Sequence, residues 1–303
     1  MIYRILYIIL YALLLVGSAC QMAEPEVKTY LFLGHPYDWN YPNRIDYRLE
    51  QVDYTQFDQI WLGGDVCSAT TQEAETVTYL DSLFSLSEKV HWTLGNHDLK
   101  YEQVERITNA TQKPEFYATW QDGICLLVLN TNYYWWYDGP PPQENCAAKE
   151  GQWQLLQTVC DTISEASHLV VLHHHGVLNE LKRAPSNAFN INATNIRMTC
   201  DSLSDFTNWV YPLLQQVQEH GTQVILIGGD IGMVAKKYEY QTPEGIWLLG
   251  SGINNTVNKA YAPDYVTNFE ADEVLVLTHD VEQQRLEWDF LLLEEVFLPK
   301  YKR

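Results

Sequence analysis

The chain has 303 residues, 46% hydrophobic and 19% charged, which allows one large α/β domain or two small ones and excludes a disordered polymer. A formal net charge of -20 repels phosphate backbones and excludes nucleic acid as a bulk ligand. In chain order, residues 1–19 read as a signal peptide. Arg4 gives it a positive start, 5–16 are an apolar run too short to span a bilayer as a helix, and Gly17, Ser18 and Ala19 precede Cys20. Residues 20–28 read as a polar tether, and 29–303 as a single domain without internal repeats.

The end of the signal resembles that of a bacterial lipoprotein, in which Cys20 becomes the lipidated first residue. Gly17 stands where leucine is usual, and ordinary secretory cleavage is the alternative. Either outcome is extracytoplasmic: a membrane lipoprotein of the periplasm or cell surface, or a secreted protein. The lipid anchor is the only membrane contact expected. Export permits disulfides. Beyond Cys20 the cysteines are Cys67, Cys125, Cys146, Cys160 and Cys200, an odd set that leaves at least one unpaired. Cys146 and Cys200 lie in long irregular segments and are the candidate pair, Cys125 is a strand thiol, and Cys67 is a packed residue sooner than a ligand.

Hydrophobic patterning predicts strands at 29–33, 59–62, 90–94, 124–130, 168–172, 223–227, 246–250, 273–278 and 286–292. Helical spacing predicts helices at 71–85, 151–163 and 206–219. Their alternation indicates an α/β layered domain, and the run of strands at the end adds antiparallel pairs. The stretches 131–150 and 177–203 fit neither pattern and have the length of functional loops. The first holds Tyr133, Tyr134, Trp135, Trp136 and Tyr137, of which Tyr134 and Trp135 are candidate substrate contacts, with plain packing as the equal alternative.

Three predicted strands end in polar groups: Gly63-Gly64-Asp65, Gly95-Asn96-His97-Asp98 and His173-His174-His175. Groups at the carboxyl ends of neighbouring strands share one crevice in an α/β sheet. An Asp, an Asn and a His meeting there form a hard, oxygen-rich divalent site with one imidazole.

Placed in this order, these motifs resemble the calcineurin-like metallophosphoesterase superfamily over about residues 30–293. Its pattern is Asp-x-His, Gly-Asp, Gly-Asn-His-Asp/Glu, a single His after a strand, and Gly-His-x-His. Gly64-Asp65 matches the second motif, Gly95–Asp98 the third in full, and His173 the fourth, with His174 as its rival. The resemblance implies a four-layer αββα sandwich of two mixed β-sheets flanked by helices. It implies Asp65 as bridging carboxylate, Asn96 and His173 as ligands, and a catalytic His97 oriented by Asp98. The first and fifth motifs depart from the pattern. His35 and Tyr37 stand where the family has Asp and His, and Asp230 and Gly232 stand where it has two histidines.

One firm cation site then follows, from Asp65, Asn96, His173 and Asp230, for Mn, Mg, Fe or Zn. A second is short of ligands, with His35 as its main addition and as a further catalytic candidate, and with Tyr37 and His174 beside the substrate. The expected function is hydrolysis of a phosphomonoester or phosphodiester through a metal-bound hydroxide. The alternative is a catalytically impaired binding protein that uses the aromatic loop 133–137. The expected partner is a phosphorylated small molecule or a cell-surface glycan-linked phosphate. Arg44 and Arg48, just after the first motif, read as a solvated face sooner than as phosphate contacts.

Overall fold

The computed structural model describes residues 26–134, 143–177, 197–201, 204–254 and 256–297. The signal segment, Cys20 and Trp135 lie outside the described residues.

The apolar runs assemble into two sheets. The first carries, in chain order, β1 (Val27–Leu33), β2 (Gln59–Leu62) and β3 (Val90–Trp92), joined at its far side by β10 (Glu273–Asp280) and β11 (Arg285–Leu292) in the order β11-β10-β1-β2-β3. β1, β2 and β3 are parallel, while β10 and β11 run antiparallel, as the closing strand-after-strand pattern predicts. The second sheet is β4-β5-β6-β7-β9-β8. Its centre, β5 (Ile124–Val128), β6 (His168–His173), β7 (Gln223–Gly228) and β9 (Trp247–Ser251), is parallel. β4 (Tyr117–Gln121) and β8 (Lys237–Gln241) pair antiparallel at its two edges.

Strand parity sorts the core into layers. Phe32, Trp61, Val170, Leu172, Ile225 and Ile227 are buried in the space between the sheets. The alternate residues Leu31, Leu33, Ile60 and Leu62 face out from the first sheet, where helix α1 (Ala74–Phe84) covers them with Val77, Leu80 and Phe84. Helix α2 (Glu105–Thr111) adds Ile107 to the same layer. On the outer face of the second sheet, Leu169, Val171, Val224 and Leu226 meet Leu156 and Val159 of α3 (Gln143–Thr162) and Leu214 and Val217 of α4 (Tyr211–Glu219). Both sheets are thus covered on both faces, which is why their parallel strands read as continuous apolar runs. The result is the αββα sandwich of two mixed sheets flanked by helices. None of the described helices is long and apolar enough to cross a membrane.

Cys146, on α3, is bonded to Cys200. The bridge closes a loop with a sequence separation of 54 residues, worth roughly 4 kcal/mol in the chain-entropy account. Cys67 and Cys125 are buried free thiols.

Candidate metal centre

Parallel pairing stacks the strand ends and so fixes where their loops begin. The Gly63 amide donates to Leu33 O (2.8 Å), Thr93 to Leu62 O (3.0 Å), and Asp230 to His174 O (2.9 Å). The tips of the two sheets then approach backbone to backbone. A Cβ on Gly229 would lie 1.9 Å from Gly63 O, so no side chain fits between them.

Asp65 is the hub. It is 2% exposed, and its Oδ2 stands 3.5 Å from His35 Nε2, 3.5 Å from His174 Nε2 and 4.0 Å from His97 Nε2. Its Oδ1 accepts the His97 amide at 2.8 Å. Asp65 and His35 both hold φ at 52°, a left-handed conformation that side chains adopt at a cost and that clusters at functional sites. Asp230 Oδ2 completes the group 3.9 Å from His174 Nε2. His174, His175 and Asp230 have ligand atoms within 4.8 Å of one another. Asn96, His97, His35 and Tyr37 line the cleft above them together with Asp65 and Asp230.

Hydrogen bonds orient the imidazoles. His174 Nδ1 lies 2.7 Å from Gly63 O. A carbonyl only accepts, so Nδ1 carries a proton and Nε2 is the nitrogen that faces Asp65 and Asp230. His97 Nδ1 lies 3.0 Å from Ser68 O, which leaves its Nε2 toward Asp65 in the same way. Burial alone would lower the His174 pKa, but Asp65 and Asp230 outweigh it and raise the pKa to about 10. Burial would raise the Asp65 carboxyl, yet His174 and His35 hold it well below its usual range. The pocket therefore demands positive charge. Burial and the Asp65 charge push the Tyr37 phenol up, so it stays a neutral donor.

Several expectations need correction. His173 does not join the cluster. It shares parity with Leu169 and Val171, its Nδ1 meets His175 O at 2.8 Å, and burial lowers its pKa to about 4. His174 shares parity with Val170 and Leu172 and so emerges between the sheets, where Asp65 is. Asp98 does not orient His97. Its carboxylate accepts the amides of Asp65 (2.9 Å), Val66 (3.1 Å) and Gly95 (2.9 Å), the Thr70 hydroxyl (2.6 Å) and Trp92 Nε1 (3.1 Å). It is a clamp on two loops, and Ser68 O does the orienting. Tyr134 is 1% exposed in the core beside α3 and does not line the cleft. As expected, neither arginine is a cleft contact, although Arg48 is not a solvated group: it pairs with Asp46 and Asp272, and Arg44 lies over the Tyr79 ring at 4.2 Å. The reading of Cys67 as a packed residue stands: it is fully buried, with its thiol pushed well up by burial.

Within the triplet the sequence assigns His175 no role of its own, because beyond the last residue of β6 the chain turns and parity no longer predicts direction. Gly232 explains the altered fifth motif: its φ is +119°, and an added Cβ would meet the Gly252–Ile253 backbone at 3.0–3.1 Å. A histidine there would be both strained and obstructed.

The donor set fits a divalent cation. Two ligands at about 2.1 Å from one ion stand roughly 3.0–3.4 Å apart at octahedral or tetrahedral angles. The His174 Nε2 separations of 3.5 and 3.9 Å are close to that and too long for good hydrogen bonds, and this buried nitrogen has no hydrogen-bond partner. A search of curated proteins gave no match. A family model described as calcineurin-like phosphoesterase matches residues 35–200, more than half of the chain, from the first loop through the histidine triplet. By that match, and by the sandwich that brings Asp65, Asn96 and His174 to one cleft, the chain belongs to the calcineurin-like phosphoesterase family.

Proposed function

We propose that this protein is an exported metal-dependent phosphoesterase that hydrolyses a phosphomonoester or phosphodiester of a small molecule or a cell-surface glycan. Asp65, His174, Asp230 and Asn96 hold one firm cation, and Asp65 with His35 forms a weaker second place. A divalent ion there, Mn, Mg, Fe or Zn, supplies Lewis acidity and lowers the pKa of bound water from 15.7 to about 7. The carrying observation is His174 Nε2, which faces Asp65 and Asp230 from 3.5 and 3.9 Å with Nδ1 held by Gly63 O.

The remaining groups do the work at the ester. His97, held at Nδ1 by Ser68 O, directs Nε2 into the cleft, where it protonates the leaving oxygen or stabilises charge on the phosphoryl group. Tyr37, packed on His35 with ring centroids 4.4 Å apart, offers its phenol to a phosphoryl oxygen. The Cys146–Cys200 bridge suits an oxidising compartment and supports export, with Cys20 as the lipid-bearing residue.

The altered loops favour a second reading, a binding protein without turnover, because Gly232 supplies no ligand and Tyr37 replaces an imidazole. Metal analysis joined to a chromogenic phosphodiester assay separates the two. The enzyme reading expects bound metal and turnover in the native protein, and His97→Ala retaining metal while turnover falls at least about 10²-fold. Metal bound with no turnover under any divalent ion would leave the binding reading standing.

A further inference from the structure

The cleft above Asp65 has a volume of about 330 Å³, and its lining is of two chemical kinds. Besides the imidazoles and carboxylates, the cleft is lined by Ile231, Met233, Val234 and Tyr265. Val234 is 40% exposed and Tyr265 59% exposed, so this apolar wall faces an incoming ligand. The wall is built: the Met233 carbonyl accepts the Thr267 amide at 2.8 Å and the Asn268 amide at 2.9 Å, which ties the loop after Gly232 to the segment carrying Tyr265.

The charge balance is equally specific. No lysine or arginine is among the described residues that line the cleft. The nearby cations are committed elsewhere: Arg48 to Asp46 and Asp272, Lys236 to Asp272 at 2.8 Å, and Arg44 to the Tyr79 ring. One divalent ion would be formally neutralised by Asp65 and Asp230. A phosphodiester brings one negative charge, whereas a phosphomonoester is close to a dianion at neutral pH and a polyphosphate carries more. The chain's net charge of -20 works against each extra negative charge.

Resting on the phosphoesterase reading above, we infer that the substrate is a monoanionic phosphodiester with an aromatic or other apolar substituent, seated on Met233, Val234 and Tyr265. A monoester or a polyphosphate is disfavoured by charge, and a diester of small alcohols leaves the apolar wall uncovered.

The test uses the full chain loaded with Mn²⁺ and three compounds sharing one leaving group: bis(4-nitrophenyl) phosphate, methyl 4-nitrophenyl phosphate and 4-nitrophenyl phosphate. The expected order of kcat/KM is aryl diester, methyl diester, monoester, with at least about tenfold between the first and each of the others. The double variant Val234→Ser, Tyr265→Ala alters exposed side chains, so the fold survives. It should collapse the aryl-to-methyl ratio toward one, mainly through KM. A parallel titration measures binding of diphenyl phosphate, dimethyl phosphate and phenyl phosphate, with diphenyl phosphate expected at least about tenfold tighter. A monoester preference, or a double variant with an unchanged aryl-to-methyl ratio, would overturn the inference while leaving the phosphoesterase reading intact. Selective binding of diphenyl phosphate with no hydrolysis of any compound would remove the enzyme and keep the ligand class. Equal binding of all three compounds would end the inference in either case.

Discussion

His168 opens β6 and His174 follows its last residue, and both lie on the face turned toward the other sheet. At the amino end, His168 packs near His279 with ring centroids 6.3 Å apart and bonds the Ser167 hydroxyl at 2.8 Å. Burial, reinforced by His279, lowers its pKa to about 4. At the carboxyl end, two carboxylates overcome the same burial and lift His174 to about 10. Residue type, strand and face are the same. The difference comes from what the loops deliver: the carboxyl ends of β2 and β7 supply Asp65 and Asp230. One end of the sandwich disfavours a charged imidazole and the other favours one.

The sharpest break of this contrast exchanges neighbours in the triplet. His174→Ala should lower Mn²⁺ affinity at least about 100-fold and kcat/KM on a phosphodiester by about 10³, because in the proposed site it removes a direct ligand and not only an outer partner. His173→Ala should keep the metal and lose less than about tenfold in activity, since its Nδ1 is spent on His175 O. Calorimetric Mn²⁺ titration with parallel rates decides it, and the reverse ranking would sink the parity argument.

The clamp comes next. Asp98→Ala leaves three amides, a hydroxyl and an indole N–H without their acceptor in a site with no solvent exposure. The expected cost is roughly 3–5 kcal/mol. In a domain of this size that is a fall of about 5–9 °C in Tm. A Tm within 2–3 °C of the native protein, read by calorimetry with metal removed from both samples, would show that water replaces the carboxylate.

A smaller effect should appear as pH dependence. His168 takes up its proton in the unfolded chain at an ordinary pKa of 6.5 but resists it when folded down to about 4. The unfolded state therefore binds more protons in that window, and stability falls as pH drops from 6.5 to about 4. The full contribution is on the order of 3 kcal/mol. His168→Gln should flatten urea-derived stability over that window by about this amount. His174 has the opposite sign in metal-free protein: its contribution is complete below 6.5 and fades as pH rises through about 10. An unchanged slope in His168→Gln would mean that the amino end tolerates charge after all.

The same contrast explains what could be read from residues alone. Asp65 and Asn96 announced themselves because each ends a short apolar strand, and chain order plus parallel pairing then brings them together. Choosing between His173 and His174 needed one more step, the alternation that buries Val170 and Leu172 between the sheets and sends Leu169 and Val171 outward. The clamp by Asp98 was hidden, since its partners come from both the Asp65 loop and the Gly95 loop and no spacing encodes that meeting. β4 and β8 were missed for a different reason. Both are edge strands with mostly half-exposed or exposed residues, so they lack the apolar run that marks the central strands. Tyr134 shows the limit of composition: an aromatic run looks like a binding surface, yet this ring packs into the core beside α3.

The least effect is expected where charge sits at the amino end but outside the core. Lys28 at the start of β1 meets Asp122, between β4 and β5, at 2.5 Å and so ties the two sheets together. The bond to Asp122 raises the Lys28 pKa, and Lys28 lowers that of Asp122. Their side chains are 17% and 27% exposed, so water and salt reach the pair. Asp122→Asn should therefore cost less than about 1 kcal/mol in urea unfolding at low salt, and less again in 0.5 M NaCl. A salt-insensitive loss of about 2 kcal/mol or more would mean that the pair is effectively dry, and the amino end would then rely on charge as the carboxyl end does.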